Sequence, residues 1–293
     1  MPGFKNYLSL VKFSHTIFAM PFALIGYVLG IKQVYGNVNF INIFNIKLLL
    51  VVVCMVTARS AAMAFNRYLD REFDAKNPRT AIREIPQGII TANQALIFVI
   101  INSMLFIIAT YFINSLCFYL SPVALFVILF YSYTKRFTAL CHIVLGLGLS
   151  LAPIGAYLAV TGSFHIVPIL FSLAVIFWVS GFDIIFALQD VAFDKSQQLY
   201  SIPSLLGIKK GLLVSTWLHI ICGAFIILAG MVSNGNMLYW VGVAFFIALL
   251  IYQHLIVKPN DLSKVNIAFM TTNGIASIVF AFFVITDLLF SFK

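Results

Sequence analysis

The feature that most constrains this chain is a succession of apolar runs, most close to the length of one membrane crossing, separated by short polar breaks. About 20 consecutive apolar residues cross the hydrocarbon layer as a helix, and inside that layer each backbone N–H and C=O has to be bonded within its own segment. With 62% hydrophobic and 9% charged residues, against about 25% charged in a soluble domain, the chain cannot cover its apolar surface in water. It reads as an all-α polytopic membrane protein, a single integral-membrane domain over residues 1–293, with room for about nine transmembrane helices.

The runs predict helices over 14–33, 46–66, 92–111, 114–133, 138–160, 165–188, 210–232, 237–257 and 266–290. The thinnest break is Tyr111-Phe112-Ile113-Asn114-Ser115. Length supports it, because about 40 apolar residues are twice one span. The first run has no clear small-residue cleavage site and reads as a retained helix rather than a removed signal. Cys54, Cys117, Cys141 and Cys222 all sit inside apolar runs without a CxxC partner and read as packing residues.

The basic residues orient the bundle. Apart from Lys32, Lys47, Lys293 and the intramembrane Arg59, all of the 18 Lys and Arg fall in the N-terminal segment or in the loops after the even-numbered helices. By the positive-inside rule that side is cytoplasmic, which accounts for the net charge without invoking nucleic acid. The N-terminus is expected in the cytoplasm and, with an odd helix count, the C-terminus outside.

The acids are gathered in two places. Of the nine acidic residues, Asp70, Glu72, Asp74 and Glu84 follow the second run, Asp183, Asp190 and Asp194 cluster at the end of the sixth, and only Asp261 and Asp287 lie elsewhere. Residues four apart share a helix face, so Asn66, Asp70 and Asp74 form one polar stripe, and Asp190 and Asp194 a second with Asp183 two turns earlier. Both stripes end on the cytoplasmic side, where they can face each other across one cavity. Single acids there often do no more than pair with neighbouring bases. Two stripes on one side of an apolar protein point to function.

Oxygen ligands in pairs suit Mg²⁺, which binds through one or two carboxylates plus substrate phosphates. Lys135, Arg136, Arg67 and Arg71 are the candidate phosphate-binding bases. Metal-binding acids beside phosphate-binding bases, in a membrane setting, read as a site for a diphosphate with a lipid tail. The five histidines show no zinc-ligand spacing. They read as polar packing residues, with His15 placed where it can also line the cavity. Gly146, Gly148, Pro21 and Pro153 read as packing and kinking devices. The loops 67–91 and 189–209 are long and mix acids, bases and proline, as functional loops do, and their like charges are expected to repel until a counter-ion bridges them. Arg59, seven residues before Asn66 on the same face, is the one base deep in an apolar run. Its two readings are a structural pair, with Asp183 or with backbone carbonyls, and a contact to an anionic substrate group.

These residues resemble the UbiA superfamily of membrane prenyltransferases. Asn66-x3-Asp70-x3-Asp74 with the basic loop after it is similar to the first aspartate motif. Asp183 through Asp190-x3-Asp194 is similar to the second, with Phe182 and Phe186 where tyrosines are usual. Tyr131, Lys135, Arg136, Phe137 and Thr138 resemble the stretch after helix four, and 11–22 and 59–88 look most like the 4-hydroxybenzoate branch. The resemblance implies nine helices around a central cavity and transfer of a polyprenyl chain from its diphosphate to a hydroxylated aromatic acid in quinone biosynthesis. It implies Mg²⁺ on Asp70, Asp74, Asp190 and Asp194, assisted by Asn66. Lys135 and Arg136 would hold the diphosphate, and Asp183 would orient or deprotonate the phenol. The implied setting is a bacterial inner membrane. The alternative acceptor is 1,4-dihydroxy-6-naphthoate in a menaquinone route, and the alternative class is a cation transporter using the acidic clusters. CDP-alcohol phosphotransferases need an Asp-Gly dipeptide that neither cluster has.

Overall fold

The computed structural model describes residues 3–11, 18–36, 38 and 40–290. Lys12, His15 and Lys293, along with 14–17 of the first expected helix, lie outside the described residues.

In chain order the helices are α1 (Phe4–Leu10), α2 (Met20–Tyr35), α3 (Phe40–Ile43), α4 (Ile46–Lys76), α5 (Ala92–Ile113), α6 (Ser115–Thr134) and α7 (Cys141–Thr161). There follow α8 (Ile166–Ala187), a 3₁₀ turn (Leu188–Asp190), α9 (Val191–Ser196), α10 (Ile202–Leu206), α11 (Ile208–Ser233) and α12 (Met237–Ile256). A π-helical turn (Ile267–Thr272) leads into α13 (Asn273–Phe290). Among the described residues, 8 helices are long and apolar enough to cross a membrane. α2, with 16 residues, is shorter. With it the bundle has the all-α architecture and the approximate helix count expected from the runs.

The polar breaks act as caps. Asn45 Oδ1 accepts from the backbone N–H of Lys47 at 2.8 Å at the start of α4. Thr91 and Gln94 form a reciprocal capping box on α5. The thin break between the third and fourth runs narrows to Asn114, in extended backbone between α5 and α6. Its carbonyl oxygen caps Cys117 N at 2.9 Å, and its amide donates to Leu158 O of α7 at 2.9 Å. One residue thus ends a helix, starts the next and ties both to a third.

Close backbone approach sets the centre of the bundle. α7 packs on α2, α6 and α8, and α8 also packs on α11. A Cβ at Gly26 would lie 2.0 Å from Pro153 O, and one at Gly146 would lie 2.4 Å from Ile176 O. These are the places where α2 meets α7 and α7 meets α8, as small residues allow in membrane bundles. Beneath them Phe22, Trp178, Phe246 and Phe280 form an aromatic core with neighbouring ring centroids 5.2 to 6.2 Å apart. The buried Trp178 indole donates to Asn273 Oδ1 at 2.9 Å, so the core's polar edge is satisfied.

α4 runs ten residues beyond the expected end at 66 and carries Asp70 and Asp74 as helical residues. α8 stops at Ala187, and the 3₁₀ turn that follows breaks the second expected stripe, so Asp190 and Asp194 do not share a continuous helical face. Gly26→Ala should force α2 away from α7. Overpacking of this kind costs about 1–3 kcal/mol. The expected result is a lower midpoint of thermal unfolding in detergent, with Gly155→Ala as the control, since a Cβ there meets nothing within 4 Å.

Candidate active site

One cavity of about 180 Å³ opens where α4, α6, α7, α8 and α9 end together. Its wall includes Asn66, Asp70 and Asp74 from α4, Lys135 and Arg136 after α6, and Asp183, Asp190 and Asp194 from the α8–α9 region. The two acidic clusters and the two bases between them therefore meet in one space.

Each metal-candidate aspartate is held by a base from another part of the chain. Arg136 Nη2 donates to Asp70 Oδ1 at 3.0 Å and also to Leu69 O at 3.0 Å. Asn66 donates to the other Asp70 oxygen at 3.0 Å. Arg83 donates to Asp74 Oδ1 at 2.6 Å. Arg79 reaches Asp190 with both Nε, at 3.1 Å, and Nη2, while Asn77 donates to Asp190 Oδ1 at 3.3 Å. Lys135 Nζ lies 2.7 Å from Asp194 Oδ1, an ion pair without hydrogen-bond angles, and Ser201 donates to Asp194 Oδ2 at 3.1 Å. Burial works against the Lys135 charge, but Asp194 and Asp190 outweigh it and hold its pKa above the ordinary lysine value.

Three expected substrate contacts are not on the cavity wall. Arg71 turns to Glu72 and to Tyr68, donating to Tyr68 O at 2.7 Å and stacking over its ring. Arg67 is buried behind Asp74, with Nη1 3.9 Å from Asp74 Oδ2. Both follow from the continued helix, which points positions 67 and 71 off the face shared by 66, 70 and 74. Arg59 also stands behind the wall. Its Nε is buried without a hydrogen-bond partner among the described residues, and Tyr131, which does line the cavity, is its electrostatic neighbour. The pair imagined between Arg59 and Asp183 is absent: Asp183 Oδ2 lies 2.6 Å from His142 Nδ1.

Sequence reasoning missed Arg79, Arg83, Asn77, Ser201 and His142. Its only signal was the mixture of charges in the two long loops. In the structure the like charges of these loops are offset by opposite charges. Arg79 in one binds Asp190 beside the other, Thr80 Oγ1 donates to Asp74 O at 3.1 Å, and Arg79 also lies over the Phe186 ring at 5.2 Å.

A divalent cation fits this donor set. Among the described residues no three acidic, histidine or cysteine side chains converge as a ready cage. Mg²⁺ needs only one or two carboxylates when phosphates complete its sphere, and the site offers aspartates in two pairs. Asp74 Oδ2 is buried, accepts no hydrogen bond among the described residues and has Arg67 Nη1 near it at 3.9 Å, so its acceptor capacity is unfilled.

Asp194→Asn should destabilise the protein more than Asp70→Asn. Asp194 has a fully buried side chain, whereas that of Asp70 is 27% exposed. Breaking a buried pair costs about 3–5 kcal/mol when both partners are enclosed. Lys135 is partly open to solvent, so about 1–3 kcal/mol is expected from the same principle, read as a lower unfolding midpoint.

The chain matches the model of the UbiA prenyltransferase family over residues 19–280. It is 29% identical over 223 residues to the 4-hydroxybenzoate octaprenyltransferase of Tolumonas auensis, covering 76% of this chain and 78% of that one. An apo UbiA homologue from Aeropyrum pernix K1 superposes with a TM-score of 0.82 at 28% identity, over 94% of this chain and 98% of that chain. A UbiA homologue from Archaeoglobus fulgidus bound to DMAPP and Mg²⁺ shares the fold, with a TM-score of 0.74 at 20% identity over 98% of this chain and all of that chain.

Proposed function

The chain belongs to the UbiA prenyltransferase family and is an aromatic prenyltransferase, and from that premise we propose that its acceptor is a hydroxylated aromatic acid of the 4-hydroxybenzoate type. The donor is a polyprenyl diphosphate, and the product belongs to quinone biosynthesis in a bacterial inner membrane, with the cavity and the N-terminus on the cytoplasmic side. The observation that carries the reading is the meeting of both aspartate pairs, Lys135, Arg136 and Asp183 around one cavity. Family membership sets aside the transporter alternative.

Asp70, Asp74, Asp190 and Asp194, with Asn66, are the residues that would hold Mg²⁺, which when bound neutralises the diphosphate leaving group. This chain's own bases do the rest of that work. Arg136, Lys135, Arg79 and Arg83 each hold an aspartate at the cavity. A diphosphate entering between them offers the same bases stronger acceptor oxygens. They exchange carboxylate for phosphate and meet the charge that develops as the allylic C–O bond breaks and its electron pair stays on the diphosphate oxygen. The allylic carbon then bonds to an aromatic carbon of the acceptor, whose C–H bond breaks, its electron pair restoring the ring and its proton passing to water or to the released diphosphate. Asp183 accepts from the phenol hydroxyl, orienting the ring and strengthening its electron donation.

Arg59 is the candidate partner of the acceptor carboxylate. It lies two turns deeper than Asn66, about 10 Å at 1.5 Å per residue, with a buried, unpartnered Nε behind the cavity wall at Tyr131, so the contact needs that side chain to move aside. A guanidinium there can take a carboxylate bidentately.

Asp70→Asn and Asp190→Asn should each abolish transfer of a farnesyl group while the protein still inserts and purifies as a folded monodisperse species. The change keeps shape and removes charge. Mg²⁺-dependent turnover near wild type in either variant would refute the diphosphate site. Arg59→Lys should raise KM for the aromatic acid far more than KM for the prenyl diphosphate. Losing a charge-assisted pair costs roughly 1.5–3 kcal/mol, or about 10- to 150-fold. An unchanged acceptor KM would leave Arg59 a structural residue. A panel of aromatic acids that includes 1,4-dihydroxy-6-naphthoate tests the acceptor class itself.

A further inference from the structure

His142 is 2% exposed at the first turn of α7, and both of its ring nitrogens are engaged. Nε2 accepts the backbone N–H of Ile202 at 3.3 Å. A nitrogen facing an N–H donor carries no proton, so in the neutral ring the proton sits on Nδ1 and is donated to Asp183 Oδ2 at 2.6 Å. Ring and carboxylate are thus locked in one orientation. The other oxygen of Asp183 makes no hydrogen bond among the described residues, and Asp183 lines the cavity.

The far side of His142 is equally constrained. Ile202 follows Ser201, whose hydroxyl both donates to Asp194 Oδ2 at 3.1 Å and accepts Ser204 N at 3.1 Å in a capping box. Tyr200 N donates to Lys135 O at 2.8 Å. The segment 200–202 therefore touches Lys135 and Asp194 on one side and His142 on the other. α7 reaches this position because Gly146, one turn after His142, lets it close on α8, where the Ser180 hydroxyl donates to His142 O at 3.0 Å.

We infer that His142 is a positioning residue for the prenyl transfer: it orients the Asp183 carboxylate toward the acceptor hydroxyl and, through Ile202 and Ser201, fixes that carboxylate relative to the Asp194–Lys135 pair that meets the diphosphate. It is not the general base, because its second nitrogen is occupied by a backbone donor. The inference rests on the role proposed above for Asp183.

The test uses purified full-length protein in nanodiscs, with farnesyl diphosphate and with 4-hydroxybenzoate and 1,4-dihydroxy-6-naphthoate offered together. Removing a partner that orients a catalytic group typically costs about 10- to 100-fold. His142→Ala should lower kcat by that factor, with KM for farnesyl diphosphate within about twofold, a margin that additive-site behaviour allows. His142→Gln should restore most of the rate, since its amide can donate to Asp183 and accept from Ile202. Combined with Asp183→Asn, His142→Ala should cost nothing further. Equal damage from Ala and Gln, or additive loss in the double variant, would overturn the inference while leaving the Asp183 reading intact. Wild-type turnover in Asp183→Asn would remove both.

A readout independent of activity is the ¹⁵N spectrum of the histidines. His165 Nδ1 accepts the Val167 N–H, and His219 Nε2 faces Trp178 O, so these rings carry their protons at Nε2. A ring held as the Nδ1–H tautomer should be present in the wild type and missing in His142→Gln. Its absence from the wild type overturns the inference whatever the rates show.

Discussion

A carboxylate at the end of a membrane helix is stable only if something offsets its charge, and the architecture of this protein follows from how four aspartates are offset. Asp70, Asp74, Asp190 and Asp194 each take a base from another element: Arg136 and Lys135 from the turn after α6, Arg83 and Arg79 from the turns after α4. These pairs join α4 to the α6–α7 turn and the 77–91 segment to the end of α8. The segments between helices are therefore part of the site's frame and not free connections. Arrangements of this kind add little net stability, since desolvation consumes much of the Coulombic gain. Their value lies in specifying which element stands beside which.

The same pairs make the site responsive. A base partly buried and aimed at a carboxylate across a small cavity stands close to where a phosphate would enter between them. The aspartate it leaves is then an oxygen donor without a counter-charge, which is what a hard cation requires. On the proposed reading, binding of the diphosphate and binding of the cation would therefore favour each other through shared partners.

The approximate helix count, the gathering of the acids at one end of the bundle and the residues of the two clusters were legible in the sequence, because each depends on local pattern: run length and four-residue spacing. What escaped was set by non-local geometry. The second stripe looked helical, yet α8 ends at Ala187, and the 3₁₀ turn sends Asp190 to Arg79 and Asp194 to Lys135. Arg67 and Arg71 carried the right charge on the wrong face, an error that the length of α4 explains. Arg79 and Arg83 were passed over because a loop gives no period from which to predict direction. His142 looked like packing because nothing in the spacing of 142 and 183 shows that Gly146 lets α7 close on α8.

Behind the cavity lies a layer of different character, which reaches its wall at Phe186. Phe186 stacks on Phe269 at 4.2 Å, Phe269 meets Phe182 at 5.4 Å, and Phe182 meets Trp178 at 5.1 Å, so rings run from the acidic rim into the aromatic core. Ring faces are partly negative and stabilise a nearby cation without offering it a nucleophile. Tyrosine at 186 would add a hydroxyl at the cavity, and phenylalanine does not. An allylic cation formed at the rim would have carboxylates and phosphate on one side and rings on the other, with the acceptor as the electron-rich group free to bond. On the proposed reading, the polar rim would assist cleavage of the C–O bond, and the rings behind it would limit access of water to the cation. The two features adjoin because the acids and bases of the site gather at one end of the bundle, while its centre is filled by aromatic packing.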